Sequence, residues 1–171
     1  MLEGAVVKWP AESKLTRSDR QPTLLLFAHP HCPCTRATIG ELALLMRHAA
    51  GVSATVVFTE PAGVPEDWME TDLGRSASAI PGVKQVRDDR GFEAKNFGAT
   101  TSGFAVLYAP DGKLLFRGGI TDGRGHAGDN EGRSAILSLI AGRTATATTR
   151  VFGCPLFAKA SSTSPTECHP E

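Results

Sequence analysis

The sequence predicts an α/β protein of three layers: a central mixed sheet with a β-α-β unit, then a C-terminal β-hairpin and helix. Three observations carry that expectation. Leu24–Ala28 and Val52–Thr59 are unbroken apolar or β-branched runs, as expected of strands covered on both faces. Between them Ile39, Leu42, Leu45, Met46 and Ala49 recur at helical spacing. Farther on, Phe104–Tyr108 and Lys113–Phe116 flank Ala109-Pro110-Asp111-Gly112, a hairpin signal.

Each element follows in order. Residues 1–21 read as an N-terminal lead-in segment with Trp9-Pro10 as a packing anchor, and Gln21-Pro22 releases the chain into the first strand. The first helix starts after Pro33 and closes at Gly51. A crossover of this kind is right-handed and joins parallel strands. Glu60–Pro65 is a loop, and Glu66–Ala79 is expected to be helical, with Asp67, Glu70 and Asp72 early and Arg75 late, as the helix dipole favours. Pro81-Gly82 turns the chain into a strand over Val83–Arg87, and Asp89–Phe97 forms a short helix or turn ended by Gly98. A Gly-rich loop, Gly118–Gly128, precedes a helix over Asn130–Ala141 carrying Ile136, Leu137, Leu139 and Ile140. The folded domain is thus set at 22–142. Residues 143–171 form a tail, expected to be partly mobile because of Thr144–Thr149 and Ser161–Pro165, with an apolar segment 151–157 docked on the body.

Composition excludes several classes. Lys plus Arg and Asp plus Glu number 18 each in 171 residues, and the basic residues are scattered, so no nucleic-acid partner is expected. No apolar run reaches the length of a membrane span, and Met1–Pro10 lacks the basic start and apolar stretch of a signal peptide. Four cysteines, Cys32, Cys34, Cys154 and Cys168, are too few to staple a chain of this length. Their placement points to chemistry instead.

Cys32 and Cys34 lie where the first strand gives way to the first helix, within His29-Pro30-His31-Cys32-Pro33-Cys34-Thr35-Arg36. Unpaired N–H groups and the helix dipole favour a thiolate there, and the thiolate is the reactive form. Cys32 is the expected nucleophile, with His29, His31 and Arg36 adding positive charge, and Cys34 the resolving thiol. One intervening residue makes a Cys32–Cys34 ring tight, so that disulfide should be readily reduced.

The element order and the position of the cysteine pair resemble the thioredoxin fold. More closely, Ala28–Arg36, Ala99–Gly103, Gly118–Thr121, Arg124–Asn130 and Val151–Leu156 resemble the bacterial RedB-like group of thioredoxin-like proteins, across about residues 9–156. The resemblance implies a thiol–disulfide oxidoreductase acting on a protein thiol or disulfide, with an electron-transfer partner and no cofactor, in the bacterial envelope or periplasm rather than the cytoplasm. The pair here is Cys-Pro-Cys rather than Cys-x-x-Cys. Where thioredoxins place a cis-proline beside the disulfide, this chain has Thr101-Ser102-Gly103, which the resemblance puts at the site, and Gly103 leaves room for close approach.

In such a sheet the second hairpin strand ends at the same edge as Cys32, which brings in the loop Thr121–Asn130. Arg124 and His126 would there stabilise a thiolate, move a proton or bind an anion; otherwise the loop is a solvated turn that caps the next helix. Cys154 is a third redox thiol if 153–155 folds over that edge, and a small buried hydrophobe if not. Cys168, near the end, reads as a free tail thiol.

A second reading makes the site a copper or zinc centre built from Cys32, Cys34, His31 and His126, for metal delivery or redox sensing. Copper-delivery proteins of thioredoxin fold likewise join two helix-start cysteines to a distant histidine. Peroxidase activity ranks lower. His29 stands where peroxiredoxins, which share the fold, carry a hydroxyl that donates to peroxide.

Overall fold

The computed structural model describes residues 7–157. The expectations for residues 1–6, for the Ser161–Pro165 tract and for Cys168 lie outside the described residues. The elements run β1 (Thr23–Ala28), α1 (Thr35–His48), β2 (Ser53–Glu60), α2 (Asp72–Ser78), β3 (Val83–Asp89), α3 (Phe92–Phe97), β4 (Phe104–Tyr108), β5 (Leu114–Gly118) and α4 (Glu131–Ile140). They form one mixed sheet of order β3-β2-β1-β4-β5.

β1 pairs parallel to β2, with Leu24 opposite Ala54 and Ala28 opposite Phe58, as the β-α-β unit requires. On its other side β1 pairs antiparallel to β4, with Phe27 opposite Phe104. β4 and β5 are antiparallel, so β5 runs in the direction of β1, and both strands end at the edge where α1 begins.

Every residue of β1 is buried, and alternation sorts them between two cores. Leu24, Leu26 and Ala28 pack with Ile39, Leu42 and Leu45 of α1, Ala77 of α2 and Ile136 of α4. Leu25 and Phe27 pack on the opposite face with Ala94 and Phe97 of α3, joined by Leu156 from the C-terminal segment. Burying both faces explains why β1 and β2 read as continuous apolar runs. Trp9 packs edge-on against Phe97 and Tyr108, with ring centroids 5.0 and 5.2 Å away.

One helix departs from expectation. The segment expected to be helical from Glu66 begins its helix only at Asp72, and Trp68 and Glu70 sit in tight turns closed by bonds to Pro65 and Asp67 carbonyls. Thr71 stops the helix from extending backward: its backbone is extended and its hydroxyl accepts from Gly74 N–H, an N-cap. Gly74 is needed beside it, because a Cβ there would stand 2.4 Å from the Met69 carbonyl oxygen.

Part of the Thr/Ala run expected to be mobile has fixed partners along β5. Arg117 N–H donates to the Ala147 carbonyl, and Gly119 N–H donates to that of Arg150. Thr149 returns a bond from its N–H to the Arg117 carbonyl and one from its hydroxyl to that of Gly119. Glycine is required at 118 and 119, where a Cβ would meet Thr149 and Arg150 at 2.3–2.4 Å.

Candidate functional site

β1 ends at Ala28, and the chain crosses to α1 through two tight turns. Cys32 N–H donates to the His29 carbonyl at 3.1 Å, and Thr35 N–H donates to the Cys32 carbonyl at 3.0 Å. Cys34 occupies the N-cap position with helical backbone angles and offers no side-chain cap. The first turn of α1 carries no acidic residue, while Arg47 and His48 lie in its last turn, so its dipole is left to favour an anion at the start.

Cys32 and Cys34 are both buried, and Cys154 is half-buried beside them. The three Sγ atoms lie within 4.8 Å of one another. The Cys32 and Cys154 sulfurs are 2.9 Å apart. Burial pushes the Cys32 thiol up. Hydrogen bonds from the side chains of Cys154 and Thr35, and then from their backbones, outweigh it and leave the pKa below the ordinary thiol value.

Ser102 ties the site together. Its buried hydroxyl accepts from His29 N–H at 2.9 Å and shares a 2.7 Å hydrogen bond with the Thr35 hydroxyl. It thereby links the end of β1, the start of α1 and the turn before β4. Its N–H donates to the Cys154 carbonyl at 2.8 Å, and Gly103 N–H donates to the Phe27 carbonyl at 2.8 Å. Gly103 has a φ of 95°, and a Cβ there would press on Thr38 Oγ1 at 3.3 Å. Among the described residues no peptide bond is cis.

The two histidines beside the cysteines sit in different surroundings. His29 is held below its ordinary pKa, first by burial and then by His31, so at neutral pH it is an uncharged imidazole. Its Nδ1 accepts the His31 N–H at 3.1 Å. His31 is exposed and lies against Trp68, ring centroids 4.1 Å apart, and its Nε2 donates to the Trp68 carbonyl at 3.0 Å. Trp68 also meets His29 edge-on at 5.6 Å, so an indole walls the site. Arg36 is exposed and lies 3.6 Å from an Asp72 carboxylate oxygen, which partly balances its charge.

The loop 121–130 reaches the same edge of the sheet but joins α1 elsewhere. Buried Glu41 accepts from Gly128 N–H at 2.7 Å and from Asn130 Nδ2 at 3.2 Å, and forms an ion pair with Arg133. Asn130 caps α4 by accepting from Arg133 N–H. Arg124 and His126 are both exposed, and His126 packs over Gly123. Neither His31 nor His126 belongs to the group of closely spaced metal-type ligands found among the described residues, which consists of the three sulfurs. Of the expected set Cys32, Cys34, His31 and His126, the two cysteines belong to this group, with Cys154 as its third member.

Sequence reasoning missed Thr35 and Trp68. Thr35 was legible as the hydroxyl directly after Cys34, at the point where an amide and a side chain both turn to the helix mouth. Trp68 carried no local signal, since it reaches the histidines only through the turns before α2.

No family model and no curated protein matches the chain. Solved structures do. An uncharacterised conserved protein from Geobacillus kaustophilus aligns with a TM-score of 0.63 at 23% identity, covering 85% of this chain and 81% of that one. A hypothetical protein from Sinorhizobium meliloti gives 0.63 at 21%, covering 84% and 82%. A secreted disulfide oxidoreductase from Mycobacterium tuberculosis, homologous to E. coli DsbE, gives 0.52 at 16%, covering 73% and 83%. With the sheet order and the crossover already described, these likenesses assign the chain the thioredoxin-like fold.

Proposed function

We propose that the protein is a thiol–disulfide oxidoreductase in which Cys32 is the attacking or attacked sulfur and a neighbouring thiol completes the exchange. The observation that carries this reading is the position of Cys32: at the mouth of α1, with a second sulfur 2.9 Å away. Donors from Thr35 and Cys154 and the unopposed dipole of α1 support a thiolate there. The substrate is a protein thiol or disulfide, and the bacterial envelope is the compartment in which such exchange persists.

The test is the pH dependence of alkylation at Cys32. The thiolate is the form that reacts, so a depressed pKa keeps the rate high until the pH falls below it. The expected midpoint lies under the ordinary thiol value of about 8.5, and the fast phase disappears in Cys32→Ser. A midpoint at or above that value, or a fast phase that survives the substitution, contradicts the reading.

The sulfur triad favours one second reading, a soft-metal site. Three thiolates within 4.8 Å of one another suit a three-coordinate copper(I) ion, whereas zinc would need a fourth donor. One copper per chain, lost in Cys34→Ser and in Cys154→Ser alike, would establish it.

A further inference from the structure

We infer that Cys154, and not Cys34, is the thiol that resolves the mixed disulfide at Cys32, so that the working redox couple is Cys32–Cys154. The inference rests on the exchange reading above and deepens it. Three features support it. The Cys32 and Cys154 sulfurs are 2.9 Å apart, about 1 Å more than the length of a disulfide bond. Cys34 Sγ also lies within 4.8 Å of Cys32 Sγ, but only Pro33 separates the two residues, so their disulfide closes a much smaller and more strained ring than one through Cys154. Pro33 between them fixes one backbone torsion of that small ring, which strains it further.

The third feature is how Cys154 is held. Residues 153–156 lie against the turn before β4. Ser102 N–H donates to the Cys154 carbonyl at 2.8 Å, Leu156 N–H donates to the Thr100 carbonyl at 2.9 Å, and Thr101 and Pro155 form an antiparallel bridge between them. Leu156 is buried in the core beside Phe27. Gly153 makes the approach achievable, since a Cβ there would stand 1.9 Å from the Ser102 carbonyl oxygen. Sequence places Cys154 122 residues from Cys32, and backbone pairing delivers it.

The chemistry balances with a substrate disulfide as oxidant. The Cys32 thiolate attacks one substrate sulfur, forming a mixed disulfide and breaking the substrate's S–S bond, and the first substrate thiolate leaves. Cys154 then gives up its proton and attacks Cys32 Sγ. The Cys32–Cys154 bond forms, the bond to substrate breaks, and the second substrate thiolate leaves. Two electrons pass from the cysteine pair to the substrate, whose sulfurs take up the two protons. A dithiol partner reverses the sequence.

The full-length protein is treated with one equivalent of a small aromatic disulfide, its remaining thiols are alkylated, and it is cut with trypsin. Cleavage after Arg20, Arg36, Arg150 and Lys159 separates the cysteines into peptides 21–36, 151–159 and 160–171, the last holding Cys168. The expected product joins the first two peptides through Cys32 and Cys154, with Cys34 alkylated. A loop closed within 21–36, or a Cys34–Cys154 link, overturns the inference while exchange at this site stands. Alkylation of Cys32, Cys34 and Cys154 alike overturns both the inference and the exchange reading, and a link from Cys32 to Cys168 overturns the inference. As a second measurement, Cys168→Ser protein should release two equivalents of the coloured thiolate, and the added Cys154→Ser change should slow the second release about a hundredfold, the scale of a lost positioned partner. An undiminished second release, rescued by Cys34, also overturns the inference.

Discussion

Two segments converge on the edge of the sheet where β1 and β5 end, and they are held in opposite ways. Residues 153–156 pair backbone to backbone with 100–102 and bring a sulfur to Cys32. Residues 121–130 are anchored through side chains, by Glu41 of α1 to Gly128, Asn130 and Arg133, and leave Arg124 and His126 exposed. The loop richer in motif-like residues is the one farther from the chemistry. Glycines, an arginine and a histidine make a conspicuous string, but what places a reactive atom is the framework that fixes it, and here that framework belongs to the plainer segment.

Substitutions sharpen the contrast. The largest effect is expected from Gly153→Ala, which puts a methyl group into the Ser102 carbonyl and forces the Cys154 segment off its pairing. Closure of the Cys32–Cys154 pair should slow by about a hundredfold, the cost of displacing a reacting group by an ångström, and the midpoint of Cys32 alkylation should rise as the Cys154 hydrogen bonds to it are lost. Stopped-flow thiol release checks this. If closure is unchanged, the pairing is not what positions Cys154.

A smaller effect on chemistry, with a larger one on stability, is expected from Glu41→Ala. Removing the carboxylate leaves Arg133, Asn130 and the Gly128 amide without their shared acceptor, at a cost of about 3 kcal/mol in urea unfolding. Cys32 alkylation should stay within about threefold, because the loop it releases makes no part of the sulfur cluster. A slowing beyond that would mean Arg124 or His126 does support the thiolate, and the two segments would be partners rather than opposites.

The fold was legible because its signals are local and periodic. β1, β2 and the helix between them announced themselves through unbroken apolar runs and a helical stripe, and the hairpin through Pro110-Asp111-Gly112. The cysteines of the first turn were legible for the same reason, being adjacent in sequence. The late start of α2 was not, because the decision there is made by one capping hydroxyl, Thr71, against a segment of otherwise helix-compatible residues. Nor was the distance of Cys154 from Cys32, which depends on backbone hydrogen bonds between residues some fifty positions apart in chains of no marked periodicity. His29 shows the same limit in electrostatics: its neighbours in sequence suggest a cation, and burial makes it neutral.

The central claim is that the sulfurs around Cys32 form a reversible dithiol–disulfide couple. Its most direct test is a redox titration of the purified chain with thiol counting, from about −120 to −300 mV, the range that spans known exchangers and structural bonds. The account predicts a two-electron transition within that window, with two thiols lost per chain on oxidation and none in Cys32→Ser. Thiol counts that stay constant across the whole window would contradict it.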